Sequence, residues 1–229
     1  KLGFKGYPEF QNELREELKA KAKNPIAKHD NWTEGAPSGH VLNRFTDAVI
    51  DNIRHTLGQI EPATFDRACA MIADTAHPLY IVGGRITHVM AEYLFLHAQI
   101  IRPRVTHIQS TSNAWPHYLL DVGEGDVFVI FDVRRYENNT LKLAEMAHAR
   151  GAKIILFTDQ WRSPVHSLAD ICFSSRIVAP SAWDSAAATL LLVESVISAM
   201  QDINWADTKD RAERLEDMFD QTRLFRKFT

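Results

Sequence analysis

Short apolar runs alternating with helical stripes organise the chain from Leu79 onward. Runs rich in Val, Ile, Leu and Phe at 79–82, 105–108, 127–131, 154–157 and 171–173 are apolar without polar alternation, as in strands buried on both faces of a parallel sheet. Between them, apolar residues recur at helical spacing over roughly Thr87–Ile100, Asn139–Arg150 and Ser163–Ala169, with Gly151 placed as a C-terminal cap. Five parallel strands joined by helical crossovers predict an α/β fold with three layers, helix, sheet and helix.

Helices also flank this core. Pro8 opens a stripe of Phe10, Leu14, Leu18 and Ala22 that fades before Asn24-Pro25. Asp30–Gly39 contains Gly35, Pro37 and Gly39 and has no periodicity, so a linker is predicted at 30–39. Two amphipathic helices follow, one on Leu42, Phe45, Val49 and Ile53, the other on Phe65, Cys69, Ile72 and Ala76, with Pro62 and Thr64 at the start of the second. Asp184–Met200 is apolar almost all round apart from Glu194 and small hydroxyl residues, which predicts burial on more than one side, a side that a second subunit could supply. Trp205–Phe228 carries Leu215, Phe219, Thr222 and Phe225 on one stripe, available to its own core or to another chain.

Composition narrows the setting. The 229 residues are 45% hydrophobic and 24% charged, enough for a substantial core and unlike a disordered chain. The formal charge of −3 is uneven: Lys1–Lys28 holds seven Lys/Arg against four Glu, about +3, which leaves about −6 for the remainder. That basic end matches a solvated mixed helix face better than a nucleic-acid footprint on composition alone. Cys69 and Cys172 are the only cysteines, expected as buried reduced thiols, and a cytoplasmic location follows. No charged-then-apolar leader opens the chain and no apolar run approaches the ~20 residues of a membrane span. Lys1-Leu2-Gly3-Phe4 reads as the end of an element, so a missing N-terminal part, trimmed or processed, is expected.

Two strand-to-helix junctions carry the chemistry. Gly83-Gly84-Arg85-Ile86-Thr87 follows the first strand, where glycines allow close backbone approach to an anion, though they equally serve a tight turn. The third glycine of a dinucleotide fingerprint is absent and the second strand ends Ile108-Gln109-Ser110 without an acid, which argues against NAD. Asp132-Val133-Arg134-Arg135-Tyr136 follows the third strand, with Asn138, Asn139 and Thr140 at the next helix start. Adjacent side chains on extended backbone point to opposite sides, so one arginine is expected at a ligand while the other pairs with Asp132 or Glu137. A third segment, Ala179-Pro180-Ser181-Ala182-Trp183-Asp184-Ser185, offers hydroxyls, a carboxylate and an aromatic face suited to a sugar; simple capping by Ser181 or Asp184 explains all but Trp183. The ten histidines show no metal-ligand spacing, His88 and His97 falling on opposite helix faces, and neither a G-x-S-x-G elbow nor a P-loop appears.

From about Thr64 to Asp202 the chain resembles the sugar isomerase (SIS) domain: the strand-Gly-Gly turn, Gly123-Glu124-Gly125-Asp126, Arg150-Gly151-Ala152-Lys153, and Ser163-Pro164 with Leu168-Ala169-Asp170-Ile171. Lys1-Leu2-Gly3-Phe4-Lys5-Gly6-Tyr7-Pro8-Glu9-Phe10 resembles the end of the helix-turn-helix domain in RpiR-type transcriptional regulators. The combination implies residues 1–29 as a remnant of that domain, 30–39 as linker, and 40–229 as a SIS effector-binding and dimerisation domain with flanking helices. It further implies a homodimer or dimer of dimers that binds operator DNA and no membrane, needs no cofactor or metal, is not an enzyme, and responds to an anionic sugar derivative. Carried over by position, the effector-binding candidates are Gly84, Arg85, Thr87, Arg134, Arg135, Asn139, Thr140, Ser181, Asp184 and Ser185.

One departure bears on the effector. SIS domains that hold a sugar phosphate commonly show Ser-x-Ser-Gly-x-Thr after the third strand, where this chain has Phe131-Asp132-Val133-Arg134-Arg135-Tyr136. Guanidinium forks bind phosphate or carboxylate, so a phosphosugar and a sugar acid or other organic acid both fit. Two alternatives stand beside regulation. A sugar-phosphate isomerase would need a tuned acid or base, for which His88 and Glu137 are the nearest candidates; an assembly module with a vestigial pocket would use the arginines to bridge subunits.

Overall fold

Parallel pairing of β1 (Leu79–Gly83), β2 (Val105–Ile108), β3 (Val127–Asp132), β4 (Lys153–Asp159) and β5 (Ile171–Ser175) builds a five-stranded sheet of order β2-β1-β3-β4-β5. The structure, a computed structural model, describes residues 6–12, 14, 26, 28, 39–109 and 111–225. The helical stripe expected from Pro8 falls on the described residues only as far as 14; Leu18 and Ala22, residues 30–38 of the linker and Lys1–Lys5 lie outside them. The three-layer α/β fold read from the sequence is the fold observed.

Strand alternation feeds two separate cores. Leu79, Ile81, Val129, Phe131, Ile155, Phe157 and Phe173 point to one face, where they meet α2 (Pro62–Ala73), α3 (His88–Ile101) and α6 (Ala187–Ile203). Tyr80, Val82, Phe128, Ile130, Ile154 and Leu156 point to the other, against α4 (Trp115–Leu119) and α5 (Asn138–His148). Near the carboxyl edge, in-register Phe131, Phe157 and Phe173 form a row of rings 4.8 and 5.2 Å apart across three strands. Each such side chain contributes roughly 1.5–3 kcal/mol by leaving water. The row fixes the floor beneath the loops that follow β3, β4 and β5.

Helix α6 lies against α1 (Val41–Gly58), α2, α3 and α7 (Trp205–Thr222). These helices of its own chain supply burial on more than one side, as the all-round apolar pattern predicts. α7 packs back on α3, where Arg211 donates from Nε to the Ile100 carbonyl at 3.0 Å and from Nη2 to the Gln99 carbonyl at 2.6 Å, closing carbonyls that the helix leaves open. It ends at Thr222, capped by Arg223 at φ +52°, short of the expected Phe228. The helix expected over Ser163–Ala169 is a single 3₁₀ stretch, Pro164–Leu168, because the span between β4 and β5 is too brief for more; Ser163 accepts from the Val165 N–H at its start.

Arg102 is fully buried, and its guanidinium donates to the carbonyls of Ile72, His77 and Pro103, tying the end of α3 to the segment entering β1. Burial, then neighbouring Arg104, lower its pKa to about 10. Cys69 is buried and Cys172 half-buried; neither is in a disulfide, and burial raises the Cys69 thiol to about 11. Among the described residues no helix is long and apolar enough to cross a membrane.

Candidate functional site

The chain runs outward from β1 to β2 and then crosses back to β3, so a crevice opens between the carboxyl ends of β1 and β3. A cavity of about 340 Å³ occupies it, walled by the turn after β1, the loop after β3 and the segment leading into α6. Its polar wall contains Lys28, Arg85, Arg134, Arg135, Asp184, Ser185, Thr87 and Thr189; Met90, Val133, Ile177 and Trp183 give it apolar faces.

The β1 turn is built from its own hydroxyl. Thr87 Oγ1 donates to the Phe131 carbonyl at 2.8 Å and accepts from the Gly84 N–H at 2.7 Å, pinning the turn to β3. A Cβ on Gly83 would stand 2.5 Å from the Thr87 carbonyl and 2.6 Å from the His88 nitrogen, so glycine is required for this approach. Glu137 covers the turn from the β3 side, its Oε1 accepting from the Arg85 N–H at 2.6 Å.

The β3 loop is held by buried Asp159 at the end of β4. Its Oδ2 accepts from the Arg134 N–H at 2.7 Å, and its Oδ1 from the Tyr136 hydroxyl at 2.7 Å and the Trp161 N–H at 2.9 Å. Burial first, and the Asp159 bond second, push the Tyr136 phenol above its ordinary range. Arg135 follows at φ +60°, which ends the extended backbone. The rule that adjacent side chains oppose each other therefore lapses, and both arginines reach the cavity instead of one.

The expected pairing of an arginine with Asp132 or Glu137 is also replaced. Arg134 lies with its guanidinium carbon 3.9 Å from the Trp161 ring centroid and its Nε 3.5 Å from Asp184 Oδ2. Lys28 Nζ donates to Asp184 Oδ1 at 2.6 Å. Asp132 instead accepts from the Ser163 hydroxyl and, at 3.4 Å, from the Glu137 N–H. Burial, partly offset by the Ser163 bond, raises its pKa to about 6. Asp184 is thus an ion-pair partner rather than a helix cap; the cap residue of α6 is Ala186, preceded by Ser185 Oγ accepting from the Ala187 N–H at 3.3 Å.

Of the residues proposed from sequence, Arg85, Thr87, Arg134, Arg135, Asp184 and Ser185 come together on the cavity, with Gly84 in the adjoining turn. Ser181, Asn139 and Thr140 do not line it. Ser181 Oγ accepts from the Trp183 N–H at 3.1 Å in a local turn, Asn139 is exposed, and Thr140 faces the buried side of α5, its hydroxyl without a hydrogen-bond partner among the described residues. His88 and Glu137 are also absent from the lining. Lys28, Trp161 and Thr189 were not singled out as site residues from the sequence. Trp161 lies two residues past β4, a position at the ligand edge of a parallel sheet that could have marked it; Thr189 is a hydroxyl in a largely apolar helix; nothing in sequence places Lys28 there. Among the described residues no group of His, Cys, Asp and Glu is arranged to hold a metal.

Known structures share this architecture. The sugar isomerase domain of an RpiR transcription factor from Sphaerobacter thermophilus matches with a TM-score of 0.71 at 19% identity, over 77% of this chain and 97% of that one. The NanR protein of Vibrio vulnificus, complexed with ManNAc-6P, matches with a TM-score of 0.66 at 14% identity, over 98% of this chain and 78% of its own. A phosphoheptose isomerase from Francisella tularensis matches with a TM-score of 0.57 at 15% identity, over 70% and 96%. At these identities the likeness is one of fold. No curated protein matches the sequence. Residues 72–199, more than half of the chain, match the SIS domain family, and the chain belongs to that family.

Proposed function

We propose that this chain is the effector-binding part of a ligand-responsive, DNA-binding transcriptional regulator of the cytoplasm. In this reading an anionic sugar derivative, phosphosugar or sugar acid, enters the cavity at β1 and β3 and alters operator affinity. The observation that carries it is the charge arrangement: among the described residues four cationic side chains, Lys28, Arg85, Arg134 and Arg135, meet a single carboxylate, Asp184, at the cavity wall. Among the described residues the side chains of Arg85 and Arg135 have no ion-pair partner, and they are free to take an incoming anion.

The same wall links to the N-terminal segment. Lys28 reaches Asp184 from the stretch that follows the part resembling the end of a helix-turn-helix domain. An anion that engages Arg134 competes with Asp184 for it, and the Lys28 contact changes with it. Binding can shift a DNA-binding equilibrium only through such a difference between states. The fold likeness to an RpiR transcription factor and to NanR, the latter over nearly the whole chain, supports the regulator reading. Operator binding would proceed as a homodimer or dimer of dimers.

We place sensing above catalysis because Asp184, the carboxylate on the cavity among the described residues, is occupied by two cations, while His88 and Glu137 are engaged by the Arg85 backbone. The test is operator binding by protein carrying its helix-turn-helix region, with sugar acids and sugar phosphates added. A change in operator affinity that tracks ligand binding is expected. Turnover of a phosphosugar, abolished by His88→Ala or Glu137→Ala, would instead establish the isomerase.

A further inference from the structure

Backbone N–H groups at the carboxyl edge of a parallel sheet are the usual cradle for a phosphate, whose three terminal oxygens need many donors at once. In this chain five of those donors are already taken by the protein. Glu137 Oε1 accepts from the Arg85 N–H at 2.6 Å. Asp159 accepts from the N–H groups of Arg134 at 2.7 Å and Trp161 at 2.9 Å. Thr87 Oγ1 accepts from the Gly84 N–H at 2.7 Å, and Asp132 from the Glu137 N–H at 3.4 Å. Three of these acceptors, Glu137, Asp159 and Asp132, are carboxylates fixed where a ligand phosphate would need donors.

The donors that line the cavity wall include several side chains. Arg85 and Arg135 have unpaired guanidinium groups among the described residues. Among the described residues the Nη2 and Nε atoms of Arg134 are buried without a hydrogen bond, and so is the hydroxyl of Thr189, a residue 1% exposed on the cavity wall. A guanidinium is a planar fork that matches the two oxygens of a carboxylate. Arg134 is moreover held in a fixed plane over Trp161 and already faces one carboxylate, Asp184, from 3.5 Å. Beside it, Met90, Val133, Ile177 and the exposed ring of Trp183 provide an apolar wall for the body of the ligand.

We infer that the effector is a carboxylate, of sugar-acid size, and not a phosphate monoester. Its carboxylate is held by Arg134 with Arg85 or Arg135, its hydroxyls reach Thr189, and its ring or chain lies against Trp183. The inference rests on the sensor reading of this cavity and narrows the ligand that reading allows.

Isothermal titration and thermal shift of the whole chain, with glucuronate and gluconate against glucose 6-phosphate and inorganic phosphate, test it. At least one carboxylate is expected to bind at least tenfold more tightly than either phosphate, with Arg134→Lys lowering that affinity at least fivefold while the unliganded melting curve stays cooperative. Glu137→Ala, which uncaps the Arg85 N–H without removing a cavity side chain, is expected to narrow the carboxylate preference at least threefold. Equal or tighter binding of glucose 6-phosphate by the unaltered chain would overturn the carboxylate inference and leave the sensor reading standing. An unchanged preference in Glu137→Ala would overturn it too, by removing self-capping as the cause. Binding of none of the four probes would sink both readings of the cavity.

Discussion

Lys28 Nζ sits 2.6 Å from Asp184 Oδ1, a contact that spans 156 positions of sequence and joins the N-terminal segment to the loop before α6. The lysine side chain is 7% exposed and the aspartate 23%, so water screens this pair incompletely. Removing one partner leaves the other charge short of compensation. Lys28→Ala is expected to cost about 1–3 kcal/mol in urea unfolding. Asp184 keeps its contact with Arg134, so a double-mutant cycle with Asp184→Asn should show coupling of at least about 0.5 kcal/mol. Strictly additive losses would mean that the pair carries no energy and cannot transmit a ligand signal.

Arg134 discriminates between a ligand site and an assembly device. Its guanidinium is held by Asp184 and the Trp161 ring, both within its own chain. Arg134→Ala should therefore weaken effector binding by tenfold or more, while sedimentation shows an unchanged assembly state. Trp161→Leu, which removes the ring face but keeps an apolar body, should weaken binding by a smaller factor, because a cation–π contact of this kind is worth about 0.5–2 kcal/mol. Loss of assembly in Arg134→Ala with ligand binding intact would assign the arginines to subunit bridging.

Asp132 gives the fold a pH dependence with a definite sign. Burial raises its folded pKa from 3.8 to about 6, against the smaller lowering effect of the Ser163 hydroxyl. Between those two values the folded state holds the proton that the unfolded state has released, so stability falls as pH rises from about 4 to about 6 and is flat above. The full span is on the order of 3 kcal/mol. Asp132→Asn, neutral at every pH, should remove this component of the slope in denaturation midpoints measured from pH 4.5 to 8. If the slope survives the substitution, another group is its source.

The sheet was legible because its strands are apolar on both faces, a pattern no exposed helix shares, and because Gly83 and Gly151 punctuate the crossovers. At Gly151 the backbone sits at φ +85°, where glycine is at ease. The site was legible where it hangs directly on strand ends, as with Arg85 and Arg134. Sequence and structure part where local geometry changed the direction of a side chain. Arg135 adopts a left-handed backbone that no propensity signals for arginine, and Thr140 lies on the buried side of α5. Lys28 and Trp161 reach the cavity by contacts that link distant segments, and such contacts leave no periodic trace in a single sequence. Ser181 and Asp184 carried the same sequence signal for capping; only packing separates the turn-forming serine from the ion-paired aspartate.

The two glycines of the β1 turn should respond unequally to alanine. At Gly83 the new Cβ would meet main-chain atoms, the Thr87 carbonyl at 2.5 Å and the His88 nitrogen at 2.6 Å, and these cannot move without opening the start of α3. At Gly84 it would meet Glu137 Oε1 at 2.7 Å, the far end of a flexible side chain that can swing away. Gly83→Ala is thus expected to destabilise by roughly 2–4 kcal/mol, in the range of overpacking against fixed backbone. Gly84→Ala should cost about 1 kcal/mol or less from packing, but displaces Glu137 from the Arg85 N–H and so reproduces the ligand selectivity of Glu137→Ala. Chemical denaturation ranks the two substitutions, and titration with a carboxylate and a phosphate reads the second effect. Equal destabilisation by both would show that the turn yields as a unit, and that Glu137 is as fixed in place as the main chain beneath it.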